Sequence, residues 1–170
     1  MKKVLLGTLL SVVSALAIEV GSIPPAVTLD GANGGNVNGS AWSSSMLKGK
    51  VYVLFYVDPD EKDLNQAVTH ALKKEHFDRK SYGSVAVVNL AATWKPNAII
   101  EALLKKKQKE FPDTTYVMDK KRVLVNKWQL ADDNSDILLF DKNGKLLFKK
   151  FGKLSQQEIH QLITLIKSHM

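Results

Sequence analysis

Carboxylates gather in two short runs of this chain, and they are its residues best suited to chemistry. The first run holds Asp58, Asp60, Glu61 and Asp63, and the second reads Asp132-Asp133-Asn134-Ser135-Asp136. Oxygen-rich clusters of this kind suit hard divalent cations or basic peptide segments. Asp58, Asp60 and Asp133 are the candidate cation ligands, and a cation-dependent enzyme or cation-binding protein is the corresponding function. The first run is no EF-hand loop, because it lacks the central glycine and the spaced final glutamate. A plainer account is that acids ahead of a helix accept its free N–H groups and favour the positive end of its dipole.

Other chemistries are excluded by residue type or spacing. The 170 residues include no cysteine, which removes disulfides, thiolate metal sites, cysteine nucleophiles and dithiol redox reactions. His70 and His76 stand six apart rather than the four that would place two imidazoles on one helix face, and His160 and His169 are remote in sequence. No G-x-S-x-G elbow is present for a serine hydrolase. No P-loop and no G-x-G-x-x-G follows a strand, so phosphates have no cradle. Neither a catalytic residue nor a cofactor is assigned.

Basic and aromatic residues have two readings each. Lys105, Lys106, Lys107 and Lys109 close a helical stretch. There they complement the helix dipole and solvate a face, or they meet an anionic envelope surface. Nucleic acid is not an expected partner, since no reading motif accompanies the charge. Trp128 stands just ahead of the second acidic run and Trp94 at a strand-to-helix junction, either as core residues or as the aromatic floor of a peptide-docking groove.

The amino terminus reads as an address. Met1-Lys2-Lys3, the apolar stretch Val4 to Val13 and the small residues Ala15 and Ala17 have the three-part layout of a secretory leader, with cleavage expected after Ala17. The apolar run is shorter than the ~20 residues of a spanning helix, and no later segment reaches that length. Loss of Lys2 and Lys3 lowers the formal net charge from +7 to +5. The reading is an exported, periplasmic protein with one domain over residues 18–170.

The elements that must position these groups follow from periodicity. Ala26 to Leu29 alternates, and the Asp30 to Asn36 cluster reads as the loop of an amino-terminal hairpin. Val51 to Val57 is an unbroken apolar run, as a strand covered on both faces requires. A helix is predicted from about Glu61 to Phe77, a strand over Ser84 to Leu90, and a helix over Asn97 to Glu110. A short strand at Tyr116 to Met118 and a short helix at Val123 to Trp128 come next. Ile137 to Phe140 and Lys145 to Phe148 flank an Asn-Gly turn. Ser155-Gln156-Gln157-Glu158 is a capping box for the last helix. The order predicts an α/β sandwich with a mixed central sheet flanked by helices.

Three segments resemble a known fold: Leu47-Lys48-Gly49-Lys50-Val51, Phe140-Asp141-Lys142-Asn143-Gly144-Lys145, and Gly152-Lys153-Leu154-Ser155. They are similar to the thioredoxin-like superfamily, in its secreted peroxiredoxin and TlpA-type branch. Trp128-Gln129-Leu130, the Asp141 to Gly144 turn and the Gly152 to Glu158 stretch resemble the YtfJ family of periplasmic proteins. The likeness implies a thioredoxin-like sandwich without redox chemistry. Asp58-Pro59-Asp60-Glu61-Lys62-Asp63 stands where the cysteine pair would open the helix, and Ser135-Asp136 where a cis-proline would precede the hairpin strand. It also implies that the two acidic loops face each other, and no catalytic residue carries over. The expected function is a binding or accessory module of the bacterial envelope, with an envelope protein or peptide as partner. Its expected groove is bounded by Asp58, Asp60, Trp94, Trp128, Asp132, Asp133 and Ser135.

Overall fold

A run of apolar residues without polar breaks must be covered on both faces, and Val51 to Val57 is so covered. The computed structural model describes residues 17–170. The expected leader, Met1 to Ala17, lies outside them apart from Ala17. In chain order the elements are β1 (Thr28–Leu29), β2 (Gly34–Asn36), β3 (Trp42–Ser43), β4 (Val51–Val57), α1 (Gln66–Lys74) and β5 (Tyr82–Asn89). There follow α2 (Asn97–Glu110), β6 (Thr114–Asp119), α3 (Val123–Trp128), β7 (Ser135–Phe140), β8 (Leu146–Phe151) and α4 (Gln156–His169).

Six strands form one sheet in the order β2-β6-β5-β4-β7-β8. β4 and β5, and β5 and β6, pair in parallel, while the other neighbours are antiparallel. This is the mixed sheet that the sequence predicts. Val51 and Val53 pack with Val68 and Leu72 of α1 and with Ile159, Leu162 and Ile166 of α4. Leu54 and Tyr56, of opposite parity, meet the other layer, which α3 supplies through Leu124 and Trp128 and the N-terminal segment through Ile18, Leu29 and Trp42. α2 lays Ile100 and Leu104 over Val88 and Met118. The two-residue period of a strand explains why β4 needs apolar residues at both parities.

Two expectations need correction. β1 and β3 do pair, with Leu29 opposite Trp42, but Gly34 to Asn36 is not loop: it adds to the sheet edge beside β6. Glycine permits that approach, since Gly34 has φ +129° and a Cβ there would stand 1.9 Å from the Met118 carbonyl oxygen. The first helix begins at Gln66 rather than near Glu61 and ends at Lys74 rather than near Phe77. Residues 59–65 instead make successive turns, with Glu61 N–H donating to Asp58 O and Leu64 N–H to Glu61 O.

Asn65 ends those turns and ties α1 to two other loops. Its buried amide donates to Ser135 O (2.9 Å), Ser135 Oγ (3.2 Å) and Gly152 O (3.0 Å), and its Oδ1 accepts from Leu154 N–H at 3.0 Å. Truncation leaves these backbone groups without partners away from water, so Asn65→Ala is expected to cost about 2–3 kcal/mol in urea denaturation. A loss below about 1 kcal/mol would show that water replaces the amide.

The carboxyl-terminal third follows its local signals. Asp141 Oδ1 accepts from Asn143 N–H at 2.8 Å and Lys145 N–H at 2.9 Å within the hairpin turn. The capping box forms in both directions: Glu158 N–H donates to Ser155 Oγ (3.2 Å), and Ser155 N–H to Glu158 Oε2 (2.7 Å).

Candidate functional site

Strand register gathers polar residues at one end of the sheet. Val57 closes β4 opposite Val88 of β5 and Ser135 of β7, and Asn89 closes β5 opposite Asp119 of β6. The loops after β4, β5 and β6 and the loop before β7 therefore share one edge, where ligands of open α/β sheets commonly bind. The two acidic runs do face each other, with Asp58 N–H donating to Asn134 O at 2.8 Å.

Each acid on this edge has its own circumstance. Asp58 is buried, and its Oδ1 accepts from Asp60 N–H at 2.8 Å. Burial pushes its carboxyl above the ordinary carboxylate range; the Asp60 N–H opposes this, while the charges of Asp60, Asp133 and Glu61 add to it. Asp60 is exposed and pairs with the Lys95 ammonium, and Thr93 Oγ1 donates to it at 2.7 Å. Those two hydrogen bonds, Lys95 first, hold it below the usual range. Asp132 accepts from Asn89 Nδ2 at 2.8 Å and pairs with Arg122 Nη1 at 2.8 Å. Arg122 Nη2 in turn donates to Ala91 O at 2.6 Å. No ion pair among the described residues involves Asp58, Asp133 or Glu61.

The predicted groove is thus only partly assembled. Asp58, Asp60, Asp132 and Asp133 come together. Trp94 stands beside them with 86% of its surface exposed, between the two residues that hold Asp60, so it is no floor. Trp128 is withdrawn into the core: its Nε1–H donates to Pro25 O at 2.8 Å and its ring lies 6.0 Å from that of Phe140. Ser135 is buried and held by Asn65. Of the three candidate cation ligands, Asp60 is paired with Lys95 and Asp58 is buried, accepting from Asp60 N–H. Among the described residues no three His, Asp or Glu side chains are arranged to hold a metal ion.

Sequence reasoning passed over Asp119 and Tyr56 and gave Asp136 no role of its own. Asp119 is buried and accepts four hydrogen bonds: from Val123 N–H (2.9 Å), Leu124 N–H (2.9 Å), Lys121 N–H (3.2 Å) and Tyr56 OH (3.1 Å). Burial, then the neighbouring Asp119, pushes the Tyr56 hydroxyl far up, so it stays a donor. Asp136 is buried, its Oδ2 accepting from Ala131 N–H at 2.8 Å and its Oδ1 without a partner among the described residues. Burial pushes its carboxyl up to about 7 against the opposing amides of Ala131 and Gly152. A usable signal existed for Asn89 and Asp119, since each ends an apolar strand run with a polar residue. Nothing local marked Asn65 or Arg122.

The mixed sheet flanked by helices has the thioredoxin-like fold. The chain superposes on the thioredoxin domain of a thiol-disulfide oxidoreductase from Bacteroides vulgatus with a TM-score of 0.60 at 18% identity, covering 88% of this chain and 98% of that one. At that identity the likeness concerns the fold alone.

The chain belongs to the YtfJ family, matching the family described as a bacterial protein of unknown function (YtfJ_HI0045) over residues 27–169. An uncharacterized protein of Haemophilus influenzae is 32% identical over 128 residues, which is 74% of this chain and 70% of that relative. The uncharacterized protein YtfJ of Escherichia coli is 26% identical over 129 residues, again 74% of this chain and 70% of the relative.

Proposed function

We propose that this is an exported, non-redox thioredoxin-like binding or accessory protein of the bacterial envelope, and that its partner contacts the acidic edge. The observation that carries the reading is the state of that edge. It has no thiol, since the chain has no cysteine, and Asp58, Glu61 and Asp133 stand there without a cation partner. Asp60 and Asp132 are fixed by Lys95 and Arg122, which makes the surface rigid before binding and lowers the ordering cost of association. A partner segment carrying lysine or arginine would complement the unpaired acids. Ile18, the first residue after the expected cleavage point, is buried, and Lys149 Nζ donates to its carbonyl at 2.6 Å, which supports a mature chain starting there.

The test is site-specific photocrosslinking in cells. A benzophenone side chain at Asp133 or Glu61 is expected to yield one envelope-protein adduct, in a chain whose sequenced terminus begins at Ile18. The same group at Asn143, in the exposed turn at the opposite end of β7, should not yield it. Identical adducts from all three positions, or none from the edge, would reject the reading.

A further inference from the structure

We infer that the outward face of α2 docks on an anionic lipid surface, with Trp94 as its interfacial anchor. The apolar residues of this helix divide between two faces. Ile100 and Leu104 are buried over Val88, Leu90 and Met118, as a core helix requires. Ile99 and Leu103, one turn apart on the outward face, are 54% and 53% exposed, and Trp94 just before the helix is 86% exposed. Three large apolar side chains in one short stretch are left in water, which costs free energy unless something covers them.

Charge says what covers them. Lys106 follows Leu103 by three residues and continues the same stripe, while Lys105 and Lys109 border it along one side. No ion pair among the described residues occupies Lys105, Lys106, Lys107 or Lys109. Of the two acids on α2, Glu101 is already paired with Lys120 at 2.7 Å, and Glu110, exposed one turn beyond Lys106, leaves four lysines against one unpaired acid on the helix. An apolar stripe rimmed by free lysines, with a tryptophan at one end, has the build of a helix lying in a membrane interface. The apolar side chains enter the acyl boundary, lysine stems snorkel, and the ammonium groups meet lipid phosphates.

A protein partner fits the same face less well. Three apolar residues fall well short of the area that a stable protein–protein interface buries, about 1,200 Å² or more. A membrane needs no matching pocket, and each lysine adds attraction independently. Trp94 borders the acidic edge, whereas Ile99, Leu103 and the lysines lie farther along α2, so substitutions at those α2 positions read this surface and not the edge.

The experiment uses the chain from residue 18 and vesicles of phosphatidylcholine with and without 30 mol% phosphatidylglycerol. Trp42 and Trp128 are already buried, so Trp94 is the reporter, and its emission should shift to the blue on anionic vesicles alone. Lys105→Gln/Lys106→Gln/Lys109→Gln is expected to lower the partition constant more than about ten-fold. Ile99→Ser/Leu103→Ser should abolish the blue shift while leaving near-ultraviolet circular dichroism unchanged, since both residues are exposed. Raising salt to about 0.5 M should weaken binding, because the surface charges are then screened. Equal binding to neutral vesicles, no binding to either, or insensitivity to the lysine changes would overturn the assignment. Binding to polyglutamate but not to anionic vesicles would overturn it in favour of an acidic protein partner.

Discussion

Asp119→Ala is expected to be the most destabilising single substitution on the site edge, at about 4 kcal/mol. One carboxylate accepts from three backbone N–H groups at the start of α3 and from the Tyr56 hydroxyl, all out of water. Hydrogen bonds to a charged group contribute about 1.5–3 kcal/mol each and are not additive when they share an acceptor. The loss should therefore lie well below the sum of four. For a domain of this size it would lower the melting midpoint by about 8–16 °C.

Tyr56→Phe removes one of the four bonds and should cost about 1 kcal/mol. The double substitution should cost less than the two singles together, because the phenol no longer has a lost partner to miss. An Asp119→Ala protein within about 1 kcal/mol of the parent in urea denaturation would refute the account.

The second large effect is a dependence on pH that belongs to Asp136. In the folded chain burial raises its carboxyl from 3.8 to about 7. Below the unfolded value both states are protonated, and the contribution to stability is fully present. As pH rises from about 4 toward 7, the unfolded state loses its proton while the folded state still holds it, so stability falls. Above about 7 both states are ionised and the loss is complete. Three pKa units correspond to about 4 kcal/mol, an upper figure, since partial opening would let water reach the group.

Asp136→Asn isolates the effect. The amide keeps an acceptor for Ala131 N–H but cannot ionise. The variant should trail the parent at pH 5 and exceed it at pH 8 by about 1–3 kcal/mol, with the two curves crossing between. Urea titrations at four pH values measure the difference directly, and a gap that does not change with pH would remove the prediction. Tyr56, directly opposite in the β4–β7 pair, carries a hydroxyl pushed far up by burial, so it stays neutral across this range and adds no slope of its own.

These two residues show where a reading of the sequence stops. Asp136 was visible as part of an acidic run, read as a loop ahead of the hairpin strand. It is buried because its strand pairs with β4 on one side and β8 on the other, and α3 and the N-terminal segment close over that face of the sheet. Asp119 lay just past a brief predicted strand, which in the structure includes it. That it caps α3 and holds a tyrosine 63 residues earlier depends on β6 and β4 each bordering β5. The late start of α1 has the same origin. Periodicity continued back to Glu61, but Asn65 is drawn into bonds with Ser135, Gly152 and Leu154, and turns take up the residues before it.

What the sequence determined by itself is whatever short-range chemistry decides. The absence of cysteine removed thiol reactions outright. Unbroken β-favouring runs fixed the central strands, the Asn-Gly turn set the last hairpin, and Ser155 with Glu158 set the start of α4, because torsional preference and hydrophobic period act over a few residues. The motifs also placed the chain in its family. Only the tertiary structure decided which acids are free. Lys95 neutralises Asp60 across 35 residues, Arg122 fixes Asp132, and Trp128 is core while Trp94 stands in water. Charge pairing and desolvation depend on distance in space, and that distance exists only once the sheet has closed.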